Sequence, residues 1–285
     1  MTGVPISDEL KESIISYYKN NIVTIVDVCK KFNLCAPTIS KILKGIKKYS
    51  KSELYNPQLN QNYFENIDSE DKAYYLGLII TDGNVYKDKG SGRQASISIY
   101  LSSPDEYLLE KFKQILKTNT SLVKDNRREK PGYSIAIRSD KIADDLSKLG
   151  IIPNKTFQTF LPQVQEEFMP ALIRGILDGD GSIRFSKYKN KYLHYISFCG
   201  THQLMVDISN YLYKTLKLNT KPNVYDYKNK GLSEIKITRY DDIIKVGDWI
   251  YTDSTIKMYR KYDKYTEIKQ YVYNSLGDYD ELCKN

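Results

Sequence analysis

The chain has 285 residues, a formal net charge of +8 and a sequence pI near 9.0, so one large domain or a few smaller ones can form. Its four cysteines lack CxxC spacing and its two histidines add no ligand cluster, which argues against a disulfide framework and a zinc site. No signal-peptide core or membrane-length apolar run is present. We therefore expect an intracellular protein, in the cytoplasm or nucleoid, with phage and organelle genomes left open as its source.

The basic charge is concentrated near the N-terminus. Residues 1–51 hold nine lysines and four acids, a net charge of +5, which leaves +3 for the rest of the chain. A basic excess in a short segment is typical of proteins that bind a polyanion, most often nucleic acid. A solvated surface without a partner explains the same charge, so the charge by itself does not decide.

Residues 1–48 are predicted to form a small all-α module of three short helices. The segments SDELKESIISYYKNN and TIVDVCKKF carry helical spacing and capping-box spacing, and APTISKILKG has a proline at its start and a glycine at its end. Asn33 suits the left-handed residue that ends a helix, so the last two helices form a helix-turn-helix. Its second helix would enter a DNA major groove and present Thr38, Ser40, Lys41 and Lys44. The alternative is a three-helix bundle that binds a protein.

Residues 49–67 are predicted to be a linker. This stretch is polar, rich in asparagine and glutamine, and interrupted by Pro57. We expect it to run in an extended conformation along a nucleic-acid backbone.

From residue 68 onward the chain repeats itself with an offset near 100. Each copy reads helix, hairpin, helix, hairpin, helix, and Leu116 and Ile135 of the first copy match Leu216 and Ile235 of the second. The strand-like runs are NVYKD, ASISIYL, SLVKD and YSIAIRS in the first copy, and SIRFSKY, YLHYISFC, NVYDYK and SEIKIT in the second. We predict an α+β fold of two pseudo-twofold-related αββαββα repeats, at residues 68–158 and 159–285, the latter including a C-terminal helix.

The predicted strands alternate between apolar and polar residues, so one face of each sheet is left free of the core. A sheet backed by helices, with a polar outer face, can lie against DNA. The basic residues that we predict to contact DNA from these sheets are Arg93, Arg138, Arg184 and Lys236.

The two repeats open with similar segments, YYLGLIITDG from residue 74 and LIRGILDGDG from residue 172. Gly77 and Gly175 lie mid-helix, where glycine is unfavourable unless two helices touch backbone to backbone. Pairing of these helices would bring Asp82 and Asp180 together at their C-termini, where a carboxylate faces the negative end of the helix dipole. A divalent cation would relieve that repulsion, and carboxylates with Mg²⁺ on a basic surface suit phosphodiester hydrolysis.

These segments resemble the motif of the LAGLIDADG homing endonucleases in their single-chain, two-motif form, and GIIPNKTF from residue 150 resembles the family's inter-repeat segment. The resemblance covers roughly residues 68–262. It implies a saddle of two sheets in the major groove and a Mg²⁺-dependent staggered double-strand cut, with Mn²⁺ as a substitute. The first repeat departs from the pattern, because Ile80 occupies the position that Asp178 occupies in the second.

The resemblance also assigns residues to the reaction. It implies metal ligands at Asp82 and Asp180, with Gly83 and Gly181 beside them, and a catalytic lysine near each scissile phosphate. Lys155 fits that role in the first repeat, and Lys257 and Lys261 are both candidates in the second. A lysine could hold the attacking water or stabilise charge on the phosphate, and an ordinary phosphate contact is the alternative.

We therefore expect a monomeric, intron-encoded or free-standing endonuclease that cuts a long asymmetric site in double-stranded DNA. Two alternatives remain open. The first is a DNA-binding regulator that kept the fold and lost cleavage, and the second is a maturase that binds intron RNA.

Overall fold

A computed structural model describes residues 6–49, 51–88, 93–126, 131–152, 160–189, 191–227 and 231–276. The chain divides into two compact units. One unit comprises Met1–Asn60 with Leu116–Thr120, and the other comprises Gln61–Ile115 with Ser121–Asn285. None of the helices in the described ranges is long and apolar enough to cross a bilayer.

The first unit contains the helix-turn-helix pattern predicted near the N-terminus. Its helices are α1 (Asp8–Asn20), α2 (Ile25–Phe32), α3 (Ala36–Ile42) and the short α4 (Lys51–Tyr55). The side chain of Thr24 accepts from the backbone N–H of Asp27, whose carboxylate accepts from the Thr24 backbone, and Asn33 is left-handed with φ 52°. Buried Ile14, Val28 and Ile39 join the first three helices into one apolar core.

The prediction of an extended linker over residues 49–67 is wrong for its second half. Tyr63 and Phe64 are buried, their rings pack edge to face, and the Tyr63 hydroxyl donates to Asp71 Oδ2 over 2.7 Å. Two large aromatic side chains outweigh the polar composition around them, because burying each removes much apolar surface from water.

The second unit contains two four-stranded antiparallel sheets, as the α+β prediction required. The first sheet has the order β1-β2-β4-β3 and the second has the order β5-β6-β8-β7. Their strands are β1 (Gly83–Tyr86), β2 (Ser96–Ser102), β3 (Val123–Asp125), β4 (Gly132–Arg138), β5 (Ser182–Tyr188), β6 (Lys191–Gly200), β7 (Val224–Tyr227) and β8 (Leu232–Ile237). The register of the two sheets buries Ile97, Ile137, Ile196 and Ile235 on the helix-facing side.

Three helices accompany each sheet. They are α5 (Glu70–Asp82), α6 (Glu106–Leu116) and α7 (Asp140–Lys148) in the first half, and α8 (Met169–Asp180), α9 (His202–Leu216) and α10 (Tyr240–Tyr251) in the second. The predicted αββαββα order of both repeats is therefore confirmed. Helices α6 and α9 end at Leu116 and Leu216, because Lys117 and Lys217 adopt left-handed φ angles of 53° and 47°.

The last described helix, α11 (Tyr259–Leu276), packs on the inner side of β5. Its Tyr271 ring lies 4.5 Å from the Tyr192 ring and 5.4 Å from Phe185, and the His194 ring stacks on Tyr240 at 3.8 Å. This aromatic cluster fixes α11 to the second half, and Lys261 in the first turn of α11 contacts the end of α8.

Candidate metal and nucleic-acid site

The site begins with the contact between α5 and α8, which pack backbone to backbone at two glycines. A Cβ atom on Gly77 would lie 2.3 Å from the carbonyl oxygen of Leu172 and 3.0 Å from the Cα of Gly175. A Cβ atom on Gly175 would lie 2.1 Å from the carbonyl oxygen of Tyr74. No other residue allows this approach without displacing a helix, which accounts for two glycines in helix interiors.

This contact brings the C-terminal ends of the two helices together. Asp82 is the last residue of α5 and is half-buried, whereas Asp180 is the last residue of α8 and is exposed. A Cβ atom on Gly179 would lie 3.1 Å from Asp82 Oδ2 and 1.9 Å from Thr81 Oγ1. The Asp82 carboxylate therefore lies against the last turn of α8, beside the residue that precedes Asp180.

A glycine follows each acid and turns the chain directly from the helix into the first strand of its sheet. The N–H of Gly83 donates to the Ile79 carbonyl, and the N–H of Gly181 donates to the Leu177 carbonyl. A Cβ atom at either glycine would lie 2.6 Å from that same oxygen. The tight turn keeps each acid at the boundary between the buried helix pair and the exposed sheet edge.

These residues fit a hard divalent cation. The described residues contain no cluster of three or more His, Cys, Asp or Glu side chains, so the protein would supply two carboxylates. Mg²⁺ is commonly held by one or two carboxylates while it keeps waters and takes substrate phosphate oxygens. The negative ends of two helix dipoles at the same place add to the attraction for a cation.

Asp178 lies in the last turn of α8, two residues before Asp180, and is fully buried. Its Oδ2 accepts from the Tyr74 hydroxyl and from the Met258 N–H, each over 2.8 Å, and its Oδ1 is buried without a hydrogen-bond partner in the described residues. Burial raises the pKa of Asp178 to about 6, and the charge of nearby Lys261 opposes that rise. The first half has no carboxylate here, because Ile80 fills the same position with an apolar side chain.

The two lysine candidates of the second repeat occupy different surroundings. Lys261 is buried, and its ammonium group donates to carbonyl oxygens at the end of α8, including Gly181 O over 2.7 Å. Lys257 is half-buried, donates to Ser254 O and Oγ over 2.9 Å, and lies over the Tyr262 ring. Lys155, the candidate of the first repeat, lies outside the described residues.

The carbonyl of Gly181, which the sequence suggested beside the metal, therefore already accepts from an ammonium group. A positive charge 2.7 Å from this oxygen disfavours a second cation on it. The two carboxylates are better placed to hold a metal than the Gly181 carbonyl.

The predicted DNA contacts of the sheets lie on outer faces. Arg138 is exposed in β4, and Arg93 is exposed before β2. Arg184 lies opposite Tyr195 across β5 and β6, and its Nε donates to Ser186 Oγ over 3.3 Å. Lys236 forms an ion pair with Glu234 over 2.9 Å and lies above the Tyr195 ring.

The sequence analysis did not single out Glu234 and Tyr195, which both contact Lys236. Glu234 accepts from the Tyr227 hydroxyl as well as from Lys236, so a connected row crosses the outer face from β7 to β6. Strand alternation contained the signal, because residues 234 and 236 must share one face of β8.

In the first unit, Ser40 and Lys41 of α3 are exposed, and Lys44 is exposed in the turn that follows the helix. Thr38 is half-buried instead, and its hydroxyl lies 3.1 Å from the Cys35 thiol, next to the start of the helix. Three of the four predicted residues are therefore exposed, and the predicted helix position of Lys44 is wrong because α3 ends at Ile42.

The helix pair and its sheets are similar to parts of known proteins. Residues 69–165 match the family model described as LAGLIDADG-like domain. This segment of the chain is therefore similar to the LAGLIDADG-like domain. It spans α5, whose last residue is Asp82, together with the first sheet, α6 and α7.

Most of the chain shares the fold of a solved meganuclease. The structure of I-SmaMI bound to uncleavable DNA superposes with a TM-score of 0.51 at 14% identity, covering 72% of this chain and 91% of that one. The homing endonuclease I-GzeII in complex with its DNA target matches with a TM-score of 0.48 at 15% identity, covering 74% of this chain and 96% of that one.

A curated relative is the DNA-directed RNA polymerase subunit Rpo1C of Methanocaldococcus jannaschii. It is 30% identical over 117 residues, which is 40% of this chain. The match spans 13% of the length of that subunit.

Proposed function

We propose that this protein is a site-specific DNA endonuclease that depends on Mg²⁺ or Mn²⁺ and makes a staggered double-strand cut. The observation that carries the proposal is the contact of the Asp82 carboxylate with the last turn of α8, next to Asp180. Two acids at adjoining helix ends repel each other and the helix dipoles, so a cation and a phosphodiester are the chemistry that suits them.

The residues of the chain would divide the work. Asp82 and Asp180 would hold the divalent cation, which when bound polarises the scissile phosphate and acidifies a coordinated water. The glycine turns after each acid keep both carboxylates at the edge of their sheets, where a DNA backbone can reach them. Lys155 and Lys257 are the lysines that we assign to the phosphate, as electrostatic stabilisers of developing charge.

The sheets would provide sequence recognition. Their outer faces differ in composition: the first carries Ser96, Ser98 and Ser134, and the second carries Arg184, Tyr195, Glu234 and Lys236. Different side chains present different donors and acceptors to base edges, so two unlike faces would read two unlike half-sites. A long asymmetric target, bound by one copy of the chain, follows from that difference.

Exposed basic residues on α3 and in the turn after it support a further contact with DNA by the first unit. Lys41 lies on the second helix of the helix-turn-helix pattern and Lys44 lies two residues beyond its end, and base and phosphate contacts are made by this helix in the motif. This contact would add affinity through counterion release.

The function is tested with DNA from the protein's own gene locus, in versions that lack and carry an intervening insertion. With Mg²⁺ we expect a double-strand cut in the uninterrupted DNA and none in the interrupted DNA. Binding without cleavage of either strand would contradict the nuclease and favour a regulator of the same fold. Stimulation of intron splicing, without DNA cleavage, would favour the maturase.

A further inference from the structure

Lys261 is a buried charge for which the proposed reaction has no direct use. Its side chain projects from α11, and the residue is 5% exposed. An ammonium group is rarely buried unless its donors are satisfied, because removing it from water is costly. The function of this lysine should therefore be found in what its donors contact.

Those contacts are all at the end of α8. The ammonium donates to the carbonyl oxygens of Leu177 over 2.6 Å, Asp178 over 2.7 Å and Gly181 over 2.7 Å, with Gly179 further away at 3.4 Å. The last carbonyls of a helix have no partner within the helix, and a cation there is favoured by the dipole. Lys261 thus closes the C-terminus of the helix that carries Asp180.

The first half is built differently at the matching place. Asp178 supplies a buried negative charge near Lys261, whereas its counterpart in α5 is Ile80. The segment 150–165 that follows the first repeat contains one lysine, Lys155. Among the described residues, a lysine that lies near a buried aspartate at the end of the motif helix is found in the second repeat.

We propose that Lys261 is a positioning residue that fixes the end of α8, and with it the orientation of Asp180, rather than a catalytic lysine. This inference rests on the proposed nuclease function. Four carbonyl contacts leave the ammonium turned into the protein, so it orients the peptide units on both sides of Asp180. The hydrogen bonds above all go to α8, whereas Asp82 acts on the ammonium as a nearby negative charge, so the two acids depend on Lys261 in different ways.

The test compares Lys261→Met with Lys264→Met in the full chain. Lys264 lies on the same helix but its side chain is about half exposed and forms an ion pair with Glu267, so it is the matched control. Cleavage is followed with a separate label on each DNA strand in Mg²⁺. We expect Lys261→Met to slow one strand about 10- to 100-fold more than the other, as for loss of a residue that orients a metal ligand, and Lys264→Met to leave both rates unchanged.

Equal slowing of both strands by Lys261→Met, or no slowing, would overturn the proposal. A second measurement covers the case in which this variant does not fold. In wild-type protein labelled with ¹⁵N-lysine, we expect one ammonium resonance that exchanges slowly with water and that moves in Asp180→Asn. Fast exchange of every ammonium resonance contradicts the positioning role, whatever the outcome for cleavage. A wild-type protein that cuts no DNA, yet shows the slow resonance, would contradict the nuclease alone.

Discussion

The ends of α5 and α8 carry the same acid but are supported in different ways. Asp82 follows an apolar turn that contains Ile80, whereas Asp180 follows a turn in which Asp178 accepts from Tyr74 and Met258. Lys261 then closes the end of α8. Both halves therefore share the acid, the following glycine and the helix-contact glycine. Among the described residues, the hydrogen bonds of Asp178 and Lys261 occur in the second half.

The source of this difference is the chain that follows each repeat. After the second repeat, α11 packs on β5 and reaches back to α8. The described residues between α7 and α8 form no comparable α-helix. A buried polar network needs a second element to supply its partners, and α11 is that element for the second half.

The largest expected effect comes from the glycines that the halves share. Gly175→Val forces a side chain into the carbonyl of Tyr74, and Gly77→Val into that of Leu172, so each should lower the free energy of unfolding by about 3 kcal/mol or more. Denaturant unfolding measures this. Ala136→Val, exposed on β4, is the control and should change stability by less than about 0.5 kcal/mol. Tolerance of valine at one glycine but not the other would show that the helix contact is not symmetric.

A smaller effect is the pH dependence of the free energy of unfolding, to which Asp178 contributes and its counterpart Ile80 does not. The pKa of Asp178 is raised from 3.8 to about 6, so the folded state holds this proton more tightly than the unfolded state between those values. The free energy of unfolding should therefore fall as pH rises through this window in wild-type protein, and this fall should be reduced in Asp178→Asn.

Denaturant unfolding of both proteins in a chelator, across that pH range, measures the difference. A stability gap between wild type and Asp178→Asn that stays constant with pH would contradict burial of an ionisable Asp178. Asp68→Asn is the control, because Asp68 is an exposed acid whose pKa is lowered by Lys72, and it should not show this trend.

The smallest effect concerns the first unit. Each phosphate contact contributes about 0.9 to the slope of log affinity against log salt concentration. We expect Lys44→Gln to reduce the slope by about that amount, while Lys19→Gln, at the exposed end of α1, leaves it unchanged. Equal slopes for wild type and Lys44→Gln would mean that the turn after α3 does not contact the DNA backbone.

Repetition in the sequence made much of this fold predictable. The matched Asp-Gly ends, the mid-helix glycines and the alternating strands required only local rules and an offset near 100. The burial of Tyr63 and Phe64 was not predictable in that way, because the polar composition around them does not indicate which core the two aromatic rings pack into.

The sequence predicted the two acids of the candidate site, but it did not predict the side chains that surround them. The resemblance drew attention to Asp82 and Asp180, and a glycine contact suffices to explain how they meet. Lys261 and Lys257 could not be separated by spacing, since only the packing of α11 decides which ammonium turns towards the carbonyls of α8. The link between Glu234 and Tyr227 likewise depends on the pairing of β7 with β8.

The most direct test of the composite acid centre is cleavage of the preferred DNA by Asp82→Asn and Asp180→Asn in Mg²⁺, with DNA binding measured in parallel. Asp88→Asn, which removes an exposed acid just after β1, is the matched control. We predict that either acid variant loses more than about 100-fold in double-strand cleavage while binding stays nearly unchanged, because each acid serves the cation and not the DNA contact. Double-strand cleavage at the wild-type rate by either variant would contradict the account.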